Sequence, residues 1–203
     1  MEDIAVKFEK YGLININKLD SSIKVDLKYA SDANFMKTNM YGSLKEAWLR
    51  PELAERLAKA QEKLKKYRKD LSLLIFDAAR PVSIQRLMYE RVKGTPQAVY
   101  VADPGNNGGF HNYGMAVDLT VTNEETGNLD MGSDFDFFGE ESHAGSEIEL
   151  YKRKKISLDA VKNRFLLYSF MLEEELFPHP HEWWHYQYHL DEKDKNRFGL
   201  LDF

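Results

Sequence analysis

The sequence predicts an α+β fold in a single domain. Some stretches repeat apolar residues with a helical period, while others alternate or run unbroken as strands do. Several of the strand-like stretches lie close together along the chain. At 203 residues the chain suits one domain, or two small ones at most, and can bury a core without staples.

The elements follow in order. Ile23, Val25 and Leu27 alternate with Lys24, Asp26 and Lys28, the pattern of a half-buried strand. Tyr29 to Gly42 reads as loop. Pro51 suits a first helical position, and Leu53, Leu57, Ala60, Leu64 and Tyr67 then recur as one stripe, giving a helix that should end near Asp70. Leu71 to Phe76 is a short apolar run, expected to be a buried strand. Pro81 starts a second helix over Val82 to Val92, closed by Gly94. Asp103 to Gly109 is turn chemistry throughout. Met115 to Val121 is rich in strand formers, and a hairpin-type turn follows over Asn123 to Asn128. Ser157 caps a helix with Asp159 in its first turn, running to about Leu176, where Pro178 and Pro180 break it. Trp183 to Tyr188 reads as a strand.

Composition narrows the function. Twelve Phe, eleven Tyr and three Trp exclude disorder as the main state. No apolar run approaches the roughly 18 residues that span a bilayer. A net charge of −5 speaks against a nucleic-acid partner, and the basic run Lys152 to Lys155 reads as a solvated face. The absence of cysteine excludes disulfides, thiolate zinc sites and a thiol nucleophile. Met1 to Lys10 has no apolar signal segment, which points to a cytoplasmic location for the chain as given, and a periplasmic one if a leader was trimmed.

Three segments carry chemistry. In Gly109-Phe-His-Asn-Tyr-Gly-Met-Ala-Val-Asp118, Gly114 lets the chain turn so that His111 and Asp118 converge. Asp118 sits between Val117 and Leu119, where an unpaired carboxylate is costly. A metal ion would remove that cost, and so would a simple His–Asp hydrogen bond. His179-Pro-His-Glu-Trp-Trp-His185 contains the letters H-E-x-x-H, which bind zinc only on a helix. Its aromatics and upstream prolines favour a strand instead. That reading keeps only Glu182 and His185, with Glu182 in the turn before the strand and His179, His181 and His189 as surface or packing residues. Asp77-Ala-Ala-Arg80-Pro81 places a guanidinium where a strand ends. Arg80 is either the ion-pair partner of a carboxylate or a fixed donor for an oxyanion.

Together these segments resemble the D-alanyl-D-alanine dipeptidases, zinc peptidases of vancomycin resistance and peptidoglycan turnover. The family's S-x-H-x-x-G-x-A-x-D matches Gly109 to Asp118 except at its first position, E-W-W-H-Y matches Glu182 to Tyr186, and D-x-Y-R-P matches Asp77 to Pro81 with Ala79 in place of the aromatic. Asp26 to Phe35 and Asp130 to His143 resemble two further family segments, so the resemblance runs from about residue 23 to 190.

The resemblance implies one zinc ion per chain, held by His111, Asp118 and His185 in a cleft on a mostly antiparallel sheet flanked by helices. It implies Glu182 as the base and Arg80 as the stabiliser of the transition state. Asp136 would receive the substrate's amino terminus, with Tyr41 bordering the same pocket and His143 in support. The implied reaction is hydrolysis of D-Ala-D-Ala or a closely related D-containing dipeptide, without a covalent intermediate. The alternative is a D,D- or L,D-carboxypeptidase acting on peptidoglycan stem peptides with the same site. Gly109 replaces a serine that helps bind substrate in the family, which removes one orienting hydroxyl, and Phe110 reshapes the pocket beside it.

Overall fold

The computed structural model describes residues 3–105 and 107–203. The chain order is α1 (Ile4–Lys10), β1 (Ile14–Asn15), β2 (Lys24–Val25), β3 (Trp48–Leu49), α2 (Pro51–Tyr67), β4 (Leu71–Asp77), α3 (Val82–Val92), β5 (Ala116–Asn123), β6 (Gly127–Asn128), α4 (Glu147–Lys152), α5 (Leu158–Glu173), β7 (Leu176–His179), β8 (Glu182–Tyr188) and α6 (Glu192–Phe198). The main sheet runs β2-β4-β5-β8-β7, with β6 paired to the far end of β5. Only the β2–β4 pairing in it is parallel. β1 and β3 form a separate small ribbon. This is the α+β architecture the sequence predicts.

The stripe of α2 is buried through Leu53, Leu57, Ala60 and Leu64, which face β4 and α5. Tyr67 leaves the stripe: it is 63% exposed, with its ring tilted at 56° to that of Phe170. The helix ends there because Arg68 turns extended, at φ −146° and ψ 115°. β4 is apolar and buried along nearly its whole length because it has a strand on either side and a helix above it.

Two expectations change. The strand expected over Ile23 to Leu27 pairs only at Lys24 and Val25, as a short edge strand. The last long helix stops at Glu173. Glu175 adopts a positive φ, and Leu176 to His179 return as an edge strand rather than as the end of the helix. Pro178 is tolerated there, since its missing N–H faces no further strand.

Two buried arginines tie the loops to the sheet. Arg50 donates to the carbonyls of Tyr113, Tyr11 and Phe198, joining both ends of the chain to the segment that carries His111. Arg164 on α5 donates to the carbonyls of Met131, His143 and Glu141, and so holds the loop that carries Asp136. Among the described residues no helix is long and apolar enough to cross a membrane.

Candidate active site

Three acidic or imidazole side chains line up across three strands. Asp77 on β4 pairs with Asp118 on β5, and Asp118 pairs with His185 on β8. Directly opposed residues share a face, and a register shift between Ile75 and Asp77 puts Asp77 rather than Phe76 opposite Asp118, so the row is fixed by the ladder together with that irregularity. Val117 and Leu119 take the other face of β5 and are fully buried. His111 comes from outside the sheet, on a single 3-10 turn over Phe110–Tyr113. Gly114 ends that turn at φ 72°, where a side chain would be strained and its Cβ would sit 3.2 Å from Leu13. The reversal brings His111 Nε2 to 3.2 Å from Asp118 Oδ1. His185 Nδ1 lies 3.1 Å from the same oxygen and 3.1 Å from His111 Nε2.

The outward nitrogens decide what these inward atoms are. His111 Nδ1 is 2.6 Å from the Ala78 carbonyl, which can only accept, so Nδ1 carries the proton. His185 Nε2 lies 3.0 Å from Gln187 Oε1, to which it can donate as the Nε2–H tautomer. With both outward nitrogens protonated, both inward nitrogens present lone pairs. Burial pushes the Asp118 carboxyl toward its neutral form, but His111 and His185, when they carry a proton between them and it, hold it well below the usual carboxylate range. Three buried acceptors therefore converge on one point, an arrangement that either a shared proton or a bound cation resolves. Their spacing matches the roughly 3.3 Å between ligand atoms around a tetrahedral ion with bonds near 2.05 Å. Two imidazoles and one carboxylate suit zinc. Among the described residues this is the one group of three or more such side chains whose ligand atoms converge.

Glu182 stands beside this group. It is the first residue of β8, not part of the preceding turn as the sequence suggested. Pro178 pairs with Tyr186 but the next residue, His179, pairs with Glu182, so β8 bulges by three residues on that side. Residues three apart on a regular strand point to opposite faces. The bulge re-aims them, and Glu182 Oε2 comes within 3.7 Å of His185 Nδ1. Burial, helped by the charge of Asp118, raises the Glu182 pKa well above its ordinary value. The strand geometry also removes the helical H-E-x-x-H reading, and His181 is not in the converging group.

Arg80 is both an ion-pair partner and a cavity residue. Its Nε and Nη2 donate to Asp77 Oδ2 at 2.9 and 2.5 Å, and its Nη1 donates to Gln85 Oε1 at 2.9 Å. One N–H on each terminal nitrogen is left over, and Nη2 lies 3.7 Å from Asp118 Oδ2. Burial works against the guanidinium charge, and Asp77 more than restores it. Tyr41 does not line the cavity. It lies behind Arg80 and donates to Asp77 Oδ1 at 2.7 Å. Burial and the charge of Asp77 hold its phenol protonated.

His111, Asp118, His185, Glu182, Arg80 and Asp136 all face one cavity of about 290 Å³. Asp136 sits at φ 61° and accepts from the Tyr29 hydroxyl at 3.0 Å and the Phe35 amide at 3.0 Å. Burial still raises its pKa to about 7. Gly109 and Phe110 line the opposite wall, and a Cβ at Gly109 would lie 3.0 Å from that of Ala102. His143 stays outside, with its Nε2 3.2 Å from the Tyr100 hydroxyl and its ring against His181.

The family model described as D-ala-D-ala dipeptidase, peptidase M15, matches residues 9–198. The chain belongs to the peptidase M15 family. A D-alanyl-D-alanine dipeptidase of Escherichia coli K12 is 29% identical over 175 residues, covering 86% of this chain and 83% of that protein. One from Enterococcus faecium is 29% identical over 195 residues, covering 86% and 90%. The solved structure of the LdcB LD-carboxypeptidase aligns at 17% identity with a TM-score of 0.42, covering 74% of this chain and 64% of that one.

Three cavity residues of this M15 peptidase are not among the candidate site residues of its sequence, although Tyr29 lies in the family-like segment Asp26 to Phe35. Tyr29 lies under the Arg80 guanidinium, 5.1 Å from its ring centroid, and holds Asp136. Gln85 looks like any polar residue of a helix until Arg80 is placed beside it. His179, read from sequence as surface or packing, lines the cavity 5.5 Å from the ring of His185. Burial pushes its pKa down to about 4, so it stays neutral.

Proposed function

We propose that this chain is a zinc dipeptidase that hydrolyses D-Ala-D-Ala or a closely related small D-containing dipeptide. The observation that carries this reading is the meeting of the three converging acceptors, Glu182 and Arg80 on one small cavity. Its volume lies at the low end for a ligand site, which suits a dipeptide.

His111, Asp118 and His185 would hold the ion. Zinc, when bound, supplies Lewis-acid polarisation and water whose pKa is lowered to about 7. Glu182 takes a proton from the attacking water and returns it to the leaving amine. Its raised pKa fits both halves of that exchange. Arg80 turns its remaining N–H groups toward the developing oxyanion, with no reorganisation at the moment of reaction. Asp136, as an anion, receives the substrate's ammonium group, and the hydrogen bonds from Tyr29 and Phe35 keep its carboxylate in place. Tyr41 acts through Asp77 on Arg80 rather than on substrate.

A second reading has an observation of its own. A wide groove of about 920 Å³ shares Phe35 and Asp136 with the cavity. A longer stem peptide could enter there, as a D,D- or L,D-carboxypeptidase requires. Zinc-loaded protein assayed with D-Ala-D-Ala, L-Ala-L-Ala and a D-Ala-terminated stem pentapeptide separates the two. Cleavage of D-Ala-D-Ala alone, lost in Glu182→Ala, supports the dipeptidase. Cleavage of the pentapeptide alone replaces it with the carboxypeptidase.

A further inference from the structure

We infer that Gln85 is a positioning residue, which fixes the Arg80 guanidinium and couples it to the cavity wall. Gln85 is 1% exposed on the first turns of α3. Its amide bridges two partners, Arg80 and Ala102. Oε1 accepts from Arg80 Nη1 at 2.9 Å, and Nε2 donates to the Ala102 carbonyl at 2.8 Å. The Ala102 oxygen can only accept, so the amide has one possible orientation, with its oxygen toward Arg80. Asp77 grips the Nε and Nη2 edge of the guanidinium and Gln85 grips Nη1. Asp77 alone would leave the far end of the plane free to pivot about that edge.

The wall on the other side of Gln85 is part of the cavity. Tyr100, Val101 and Ala102 line it, and Ala102 also closes against Gly109. The bond to Ala102 thus orients the amide, while its contact with Nη1 is what aims Arg80. The inference rests on the dipeptidase reading, because it takes Arg80 to act in the transition state.

The test uses zinc-loaded wild type, Gln85→Met and Gln85→Glu. Methionine keeps the length and removes both bonds. Glutamate keeps an acceptor for Arg80 and loses the bond to Ala102. With D-Ala-D-Ala, Gln85→Met should lose kcat by at least about tenfold with KM within about twofold, while Gln85→Glu keeps kcat within about threefold. A second readout needs no turnover. In protein labelled with 15N-arginine, the Arg80 Nη signals, assigned by their loss in Arg80→Lys, should show restricted rotation in wild type and faster rotation in Gln85→Met. Equal kcat in wild type and Gln85→Met, a change confined to KM, or equal losses in both variants would each overturn the inference. Should Gln85→Met not fold, restricted Nη rotation retained in Gln85→Glu supports the contact, and free rotation in wild type refutes it. A wild type inactive on the dipeptide, with Nη rotation still restricted, would refute the dipeptidase reading and not the Gln85–Arg80 contact.

Discussion

His111 and His185 face each other nitrogen to nitrogen at 3.1 Å, each with its opposite ring nitrogen against an amide oxygen. Two lone pairs cannot rest that close without a cation or a shared proton. Metal binding should therefore be strongly coupled to stability. At zinc concentrations about a thousandfold above Kd, the ion should add about 4 kcal/mol of stability. Thermal unfolding with and without a chelator reads this. His185→Ala should abolish the zinc-dependent shift, and a variant that kept it would place the ion elsewhere.

Glu182 touches the cluster without completing it, so its removal should separate binding from chemistry. Glu182→Gln should retain one zinc per chain and lose kcat by about 10²- to 10⁴-fold. Metal analysis beside steady-state kinetics tests both halves. Activity near that of wild type would remove Glu182 from the mechanism.

Arg80→Lys offers a sterner test than loss of charge. Lysine keeps the cation but cannot grip Asp77 and Gln85 while pointing a third group into the cavity. A fall of about 10²-fold in kcat, with KM little changed, is expected. Tyr41→Phe, which frees one oxygen of Asp77, should lower kcat by less than about tenfold. A larger loss in Tyr41→Phe than in Arg80→Lys would mean that Tyr41 meets the substrate itself.

Asp136 makes stability depend on pH. Folded, it holds its proton up to about pH 7. Unfolded, it releases it near pH 4. Between these values the folded chain binds the extra proton, so this group lowers stability as pH rises through the window. The effect is absent below pH 4 and complete above pH 7, at roughly 2–3 kcal/mol for a partly exposed carboxylate. Asp136→Asn keeps an acceptor for Tyr29 and Phe35 and tolerates the positive φ. Metal-free Asp136→Asn should be more stable than wild type in urea at pH 8 and no more stable at pH 4. The same variant should raise KM for the dipeptide. A stability gain of equal size at both pH values would show that the carboxylate is not the cause.

Arg164 holds three carbonyls of the loop that carries Asp136. Arg164→Met would leave those oxygens buried and unpaired, at about 3 kcal/mol in total. Chemical denaturation should show that loss, and KM should rise as Asp136 loses its setting. Unchanged stability would mean the loop is held by other contacts.

The legible part of the molecule was the part written in local pattern. The Leu53–Leu64 stripe, the β4 run, the Ser157 cap and the His111–Gly114–Asp118 spacing each express a rule that acts within a few residues. What stayed hidden depends on partners distant in the chain. Pro178 is a helix breaker locally and an edge-strand residue only once β8 lies beside it. The three-residue bulge at Glu182 is a property of two strands together. Tyr41 and Tyr29 are alike in sequence, and only the packing decides that one backs Asp77 while the other faces the cavity. Gln85 and His179 gain meaning from Arg80 and His185 in the same way.

The row Asp77, Asp118 and His185 also says which parts of this peptidase are free to change. Its members are neighbours by hydrogen-bond register, so a one-residue slip of β5 would carry Asp118 to the opposite face and erase the site along with the pairing. The walls that would sort substrates belong instead to the segments around residues 99–110 and 133–138, which are not part of the sheet. Those segments can lengthen, shorten or exchange side chains while the ladder keeps the reactive centre intact. Changes there would reshape the cavity without disturbing the strands that place these three side chains.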